Sequence, residues 1–150
     1  MPFTPPPAVK DAVLLVARVV LGVVLIAHGL QKFVTNGIAG TTAGFTRMGV
    51  PGAPVAAVYA AVVETVGGLL LIAGAATSIV AVLVVLDMLG AFTFVHVTRG
   101  VFTADGGWEL VAVIAVLVLT IAAVGAGRWS VDGVLAAKRA PAAIADNARV

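Results

Sequence analysis

The sequence predicts an all-α polytopic membrane protein: an antiparallel bundle of four transmembrane helices in one domain, residues 1–150. Of the residues, 61% are hydrophobic and 11% are charged, whereas soluble domains are about 25% charged. Four apolar runs lie at residues 12–34, 53–75, 79–97 and 110–126, and a helix needs ~20 such residues to span a bilayer. The short uncharged turn between the second and third runs is typical of helices that run in opposite directions.

Composition also excludes several classes of function. The net charge of +2 is small and dispersed along the chain, so we predict no nucleic-acid binding. The chain has no cysteine, which excludes disulfides, a thiol nucleophile, cysteine-ligated iron–sulfur clusters and covalently attached c-type haem. We predict no metal site. Any redox chemistry would therefore require a borrowed or non-covalent cofactor.

The first apolar run carries charged residues within its length. One narrow helix face holds both charges and both glycines of this run: Arg18, Gly22, Leu25, Gly29 and Lys32. His28 borders that face at ~100° per residue. A charge in hydrocarbon costs at least ~2.5 kcal/mol, so this face is predicted to meet protein, water or a ligand. A cleaved signal peptide is the alternative, but Arg18 interrupts the apolar run and no Ala-x-Ala-like site follows.

The second and third runs each contain one acidic residue. Small residues surround Glu64 on its helix face, which predicts a tight helix contact. Asp87 shares a face with Gly90, and we predict that this face points inward. His96 lies nine positions after Asp87, which is ~180° away on an ideal helix. The orientation of His96 therefore stays open.

The remaining segments are predicted to be irregular. A glycine-rich loop over residues 35–54 should lie on the membrane surface, because it is too polar to span and yet contains apolar residues. Residues 1–7 form an extended tail, and residues 128–150 form a polar tail. Four spans place both termini on one side, and the larger number of basic residues there predicts cytoplasmic termini.

Depth along the helices predicts two polar layers. Arg18 lies roughly 10 Å from the inner end of its helix, and Glu64 and Asp87 lie roughly 15 Å from theirs. We expect these three residues to meet in the inner half and assign any catalytic or proton chemistry to them. An ion pair that only fixes helix register is the structural alternative. The outer layer holds His28, Lys32, His96, Arg99 and Glu109. For Lys32, Arg99 and Glu109, the structural alternative is that the side chain snorkels to the membrane interface.

Four groups of residues form a recognisable signature. They are Arg18, Gly22, His28-Gly29 and Lys32; Glu64, Gly67-Gly68 and Gly74; Gly106-Gly107-Trp108-Glu109; and Gly125-x-Gly127-Arg128-x-Ser130-x-Asp132. Together they resemble the DoxX family of small bacterial membrane proteins, across all four spans. The resemblance implies a four-helix bundle in the inner membrane. It also implies kinship with the membrane subunit of thiosulfate:quinone oxidoreductase and with redox-associated assemblies. Ser78 and Ala126 depart from the basic residue and the proline that are common in the family.

Three classes of function follow from the resemblance and the polar residues. The first is the membrane component of a redox-linked complex that interacts with quinone. In it, His28 and Lys32 would bind the carbonyl oxygens, Gly29 would admit a flat ring, Glu109 would complete the outer site and Glu64 would relay protons. The second is a non-catalytic scaffold for a soluble redox or stress enzyme. The third is a small-solute or proton-coupled carrier.

We favour the first class, in which the chain is at most one subunit of a membrane oxidoreductase. Its partners would be the lipid bilayer and either a protein of a redox complex or a second copy of the chain. No cofactor is certain from the sequence, and quinone is the candidate. Haem b would require His28 and His96 as axial ligands, and the helical phase of His96 argues against this pairing.

Overall fold

The computed structural model describes residues 5–147, with side chains through residue 139, and this part of the chain contains no strand. Six α-helices follow one another along it: α1 (Pro7–Leu30), α2 (Gly37–Arg47), α3 (Ala53–Ala73), α4 (Thr77–Ala91), α5 (Glu109–Val124) and α6 (Val131–Asn147). Two π-helical segments extend α1 and α4: π1 (Gln31–Thr35) and π2 (Phe92–His96). Short 3-10 turns occupy Val97–Arg99 and Thr103–Asp105.

The helices carry the composition of a membrane protein. Three stretches are long and apolar enough to cross a bilayer: Pro7–Thr35, Ala53–Ala73 and Thr77–Arg99. Helix α5 is apolar but shorter, at 16 residues. Large apolar side chains cover the outward surfaces, and Val13 on α1 and Val113 on α5 are 62% and 60% exposed. Such surfaces suit contact with lipid chains rather than water.

Glycines set the register between α1 and α3. A Cβ atom built on Gly22 would lie 2.6 Å from the carbonyl oxygen of Gly68, and one built on Gly68 would lie 2.7 Å from that of Gly22. Only residues without a side chain permit backbones to approach this closely, as in the small-residue contacts of membrane helices. Farther along α1, Gly29 meets Ala61, which lies earlier in α3. The two helices therefore run in opposite directions.

The start of α1, the α3–α4 turn and the end of α5 lie together at what we call the terminal end. There the main-chain N–H of Arg128 donates to Asp11 Oδ1 at 2.9 Å, and its Nε donates to Asp11 Oδ2 at 2.6 Å. Asp132 accepts hydrogen bonds from the N–H groups of Ala76 and Thr77, each at 2.9 Å. These contacts fasten the C-terminal segment to α1 and to the first turn of α4. The opposite end is the loop end.

Two segments predicted as irregular contain helices. Residues 35–54 include α2, which packs on α3 and is tied to π1 by the Thr41 hydroxyl, which donates to the Lys32 carbonyl at 3.1 Å. Tertiary packing outweighs the low helix propensity of its glycines. The C-terminal tail is helical in α6, and the N-terminal tail gives way to α1 at Pro7. The rest of the two predicted tails, residues 1–4 and 148–150, lies outside the described residues.

Candidate functional site

A cavity of about 550 Å³ lies among the helices toward the loop end. Its walls are mostly apolar and come from α1, α3, α4, α5, the α2–α3 connection and the loop before α5. Six ionisable side chains line it: His28, Lys32, Tyr59, Glu64, Asp87 and His96. Convergent polar groups in an apolar cavity of this size are typical of small-molecule sites.

An ion pair between α3 and the end of α1 lies against the cavity. Lys32 Nζ lies 2.6 Å from Glu64 Oε2, and Glu64 is 3% exposed. The sequence-based depths placed Lys32 in the outer layer and Glu64 in the inner one. The two meet because the register of α1 against α3 brings Lys32 close enough for its long side chain to reach the carboxylate. Lys32 therefore does not snorkel to the interface.

Asp87 is the second acidic residue of the cavity, and its side chain is buried as predicted. Its Oδ2 has no hydrogen-bond partner among the described residues. Asp87 lines the cavity together with Glu64 and Lys32. A buried polar atom without a partner is costly in a folded protein. Asp87 therefore places a buried carboxyl oxygen without a partner beside the cavity.

The π2 segment answers the question that the sequence left open for His96. A π-helical turn rotates the chain by a smaller angle per residue than an α-helical turn does. Such turns are frequent at functional sites. Because π2 spans Phe92–His96, His96 lies on the side of the helix that faces the cavity, which Asp87 also lines. Its Nδ1 lies 2.6 Å from the Gly106 carbonyl oxygen. Donation from Nδ1–H to that carbonyl fixes the ring and leaves Nε2 for another partner.

His28 and Gly29 have different surroundings although they are adjacent. His28 is half-buried and lines the cavity. Gly29 packs against Ala61 and Thr65 of α3. The expectation that the glycine face at Gly29 admits a flat ring is therefore wrong, because α3 fills that space.

Arg18 does not meet Glu64 or Asp87, contrary to the expected inner layer. Its guanidinium is fully buried at the terminal end and donates to three carbonyl oxygens, those of Leu71 (3.5 Å), Ile72 (3.1 Å) and Trp129 (2.7 Å). The Ile72 carbonyl belongs to the last turn of α3, where carbonyls lack intrahelical donors, whereas the Leu71 carbonyl also accepts from the Gly74 N–H at 3.0 Å.

The register explains this difference. Helix α1 begins at Pro7, and the contact of Gly22 with Gly68 places Arg18 level with the last turn of α3. Ile72 lies eight residues beyond Glu64, which is ~12 Å of helix rise. Depths counted from the inner end of each predicted span do not fix the register of one span against another.

Glu109 also lies apart from the cavity. Its Oε1 accepts a hydrogen bond from the Thr103 N–H at 2.7 Å, and it does not line the cavity. At the start of α5, its charge favours the helix N-terminus. Glu109 is therefore not part of the cavity, contrary to the predicted outer binding site, and instead holds the loop before α5.

Sequence reasoning missed Tyr59. Its hydroxyl donates to the Leu83 carbonyl at 2.8 Å, which joins α3 to α4 beside the cavity. The available signal was the chain's single tyrosine within an apolar run, since tyrosine hydroxyls in apolar surroundings usually have a partner.

The cavity's ionisable groups do not form a metal-binding cluster. Within the part of the chain that the structure describes, no group of three or more His, Cys, Asp or Glu side chains is arranged to hold a metal ion. His28 and His96 both line the cavity, so the helical-phase argument against a haem held by both no longer applies.

The fold and the cavity define a small helical membrane protein with ionisable side chains buried among its apolar helices. The sequence model of the DoxX family matches residues 13–97, which cover most of α1 and all of α2, α3 and α4. The chain belongs to the DoxX family. The match does not extend to α5 or to the C-terminal signature.

The chain is also similar to two curated proteins. "Putative oxidoreductase CatD" of Bacillus subtilis (strain 168) is 40% identical over 77 residues, which is 51% of this chain and 54% of that protein. The chain thus matches about half the length of that relative. "Uncharacterized membrane protein Rv3486" of Mycobacterium tuberculosis (strain ATCC 25618 / H37Rv) is 32% identical over 137 residues, 83% of this chain and 82% of that protein. No solved structure matches the chain significantly.

Proposed function

We propose that this chain is the membrane component of a redox-linked complex and that its cavity binds the ring of a lipid-soluble quinone. In this proposal α1, α3, α4 and α5 form an antiparallel four-helix bundle across the bacterial inner membrane, with cytoplasmic termini. The cavity then lies toward the outer face. The observation that carries the proposal is the combination, in one apolar cavity, of several nitrogen donors with the unpaired carboxyl oxygen of Asp87.

The chemistry of the cavity fits a quinone ring. A quinone presents apolar faces and two carbonyl oxygens that accept hydrogen bonds, and the cavity offers apolar walls with His28, His96 and Lys32 as donors. The volume of about 550 Å³ lies within the range of about 300–1,000 Å³ that is usual for small-molecule sites. When bound, a quinone supplies two-electron, two-proton redox chemistry.

The chain's own residues would bind and orient the ring and hold protons beside it. The hydrogen bond to Gly106 orients His96, and Lys32 keeps a positive charge next to Glu64. Asp87 could accept or return a proton, since its Oδ2 has no other partner among the described residues. Glu64 is less suited to the predicted relay role while it is paired with Lys32.

The relative's printed name, "Putative oxidoreductase CatD", supports a redox setting. In our proposal the electrons come from a protein partner, because the cysteine-free chain has no thiol or iron–sulfur ligands of its own. The carrier alternative relied on Arg18 together with Glu64 and Asp87, and Arg18 lies at the terminal end instead. The scaffold alternative differs from our proposal in having no ligand in the cavity.

The test is the quinone content of the protein purified in mild detergent with its partners. Wild type should retain quinone, measured by solvent extraction and mass spectrometry. Gly90→Phe should lose it, because Gly90 lines the cavity and a side chain there enters open space. Val113→Phe, on the lipid-facing side of α5, is the matched control and should retain it.

Two results would contradict the proposal. Wild-type protein without quinone but with a bound soluble oxidoreductase would favour the scaffold. A Soret band that disappears in both His28→Ala and His96→Ala would replace quinone by haem b, in agreement with the two histidines lining one cavity.

A further inference from the structure

A second apolar space lies on the surface of α3 beside the cavity. This groove, of about 520 Å³, is lined by Pro54, Val55, Val58, Tyr59, Val62 and Val63. Val55, Val58 and Val62 are 76%, 45% and 41% exposed, so the groove faces outward, where a membrane helix meets lipid. Its lining carries one polar side-chain group, the hydroxyl of Tyr59.

Tyr59 is the residue that the groove and the cavity share. Its hydroxyl is engaged with the Leu83 carbonyl of α4 at 2.8 Å, so the side chain extends from α3 toward α4. The aromatic ring therefore stands between the charged cavity and the lipid-facing groove.

We propose that the cavity opens to the bilayer past Tyr59 and that the groove holds the hydrocarbon chain of a ligand whose ring occupies the cavity. This inference rests on the proposed function and adds the ligand class, a ring with a long hydrocarbon chain, and the route by which it binds. The lining of the groove is apolar apart from the Tyr59 hydroxyl, which suits a hydrocarbon chain. Tyr59 is a positioning residue in this arrangement.

The groove determines where the hydrocarbon chain lies more than it strengthens binding of the ligand. Lipid chains are as apolar as valine side chains, so moving a hydrocarbon chain from the bilayer into the groove gives little hydrophobic gain. The sharpest readout is therefore the place where the chain lies.

The experiment uses full-length protein in lipid nanodiscs. The probe is a benzoquinone with a decyl chain that ends in a photoactivatable diazirine. Crosslinked residues are mapped by mass spectrometry with and without excess unlabelled decylbenzoquinone, because only competed adducts report a specific site. We expect competed adducts within residues 54–63. Val62→Trp should reduce them by about tenfold, equivalent to about 1.4 kcal/mol, by filling the groove. The lipid-facing Val113→Trp is the matched control and should leave them unchanged.

The outcomes separate this inference from the proposed function. The proposal that the groove holds the hydrocarbon chain would be wrong if the competed adducts lay on another helix face. It would also be wrong if adducts within residues 54–63 persisted in Val62→Trp. Either result would leave quinone binding in place. The absence of any competed adduct, together with no quinone in the purified wild type, would overturn both. A second variant, Tyr59→Phe, removes the hydrogen bond to Leu83 but keeps the ring, and we expect it to retain the adducts.

Discussion

Lys32 Nζ lies 2.6 Å from Glu64 Oε2, and this ion pair joins the end of α1 to the middle of α3. Both charges are largely buried, with side-chain exposures of 17% and 5%. Removing one member of such a pair leaves the other charge without compensation, which usually costs more than replacing both. The pair therefore offers a direct test of the arrangement of the cavity.

Glu64→Gln should destabilise the protein by about 3 kcal/mol, because Lys32 would remain buried without its partner. Adding Lys32→Gln to Glu64→Gln should recover much of the loss, whereas adding Arg18→Gln should increase it, since Arg18 does not contact Glu64. Thermal unfolding in detergent measures all three. Recovery with Arg18→Gln instead would show that the register of α1 against α3 is wrong.

Arg18→Lys should also destabilise the protein, although it keeps the positive charge. The guanidinium donates to carbonyls of α3 and to that of Trp129, and an ammonium group cannot reproduce this planar fork of donors. We expect faster proteolysis in the segment from Arg128 onward and unchanged quinone content. Loss of quinone from a variant of unchanged protease sensitivity would place Arg18 in the binding site after all.

Gly22→Ala should destabilise the protein by about 1–3 kcal/mol through overpacking. The new Cβ atom would lie 2.6 Å from the Gly68 carbonyl oxygen. Gly90→Ala is the matched control within another helix, because nothing lies within 4 Å of a Cβ atom there. Thermal stability should fall in the first variant and stay equal or rise in the second. Equal stability of both variants would contradict the close contact of α1 with α3.

The contacts of Asp132 at the terminal end predict that the stability of the folded protein depends on pH. Burial opposes ionisation of Asp132, but hydrogen bonds from Thr77 and Ala76 outweigh it and hold the pKa of the carboxyl below its usual value of 3.8. A lowered folded-state pKa means that the stabilisation is complete above the unfolded pKa and disappears as pH falls through the folded one.

Asp132→Ala should therefore cost about 1 kcal/mol at neutral pH, as the loss of a helix cap does. The difference from wild type should be constant down to about pH 5 and should shrink below about pH 4. Unfolding measured across this range checks the prediction. A difference that persists at low pH would mean that the cap does not depend on the carboxylate.

The orientation in the membrane is tested with reporters fused to the C-terminus. Because basic residues are more frequent on the side of the termini, a reporter active only in the cytoplasm should work there. Activity of a periplasm-dependent reporter at the same position would reverse the orientation and place the cavity toward the cytoplasm.

Composition and apolar runs were sufficient to predict the helical membrane fold, because the length and apolarity of a span are local properties of the chain. The inward direction of Asp87 and Glu64 followed from helix faces for the same reason. The partner of Glu64 could not be predicted from helix faces, because it depends on the register of α1 against α3. The contact of Gly22 with Gly68, 46 residues apart in the chain, sets that register. His96 could not be oriented, since the π2 segment that turns it inward leaves no mark in the apolar pattern.

Quinone binding in the cavity can be measured with Trp108 as a fluorescent reporter. Trp108 packs edge-to-face on Phe92 with ring centroids 6.0 Å apart and follows Gly107, which lines the cavity. The chain has two tryptophans, so Trp129→Phe leaves Trp108 as the only one. Titration of this variant in nanodiscs with decylbenzoquinone should give saturable fluorescence quenching, and adding Gly90→Phe should abolish the saturable part. Linear quenching of equal slope in both proteins would show that the quinone reaches Trp108 only by collision from the lipid, and would contradict binding in the cavity.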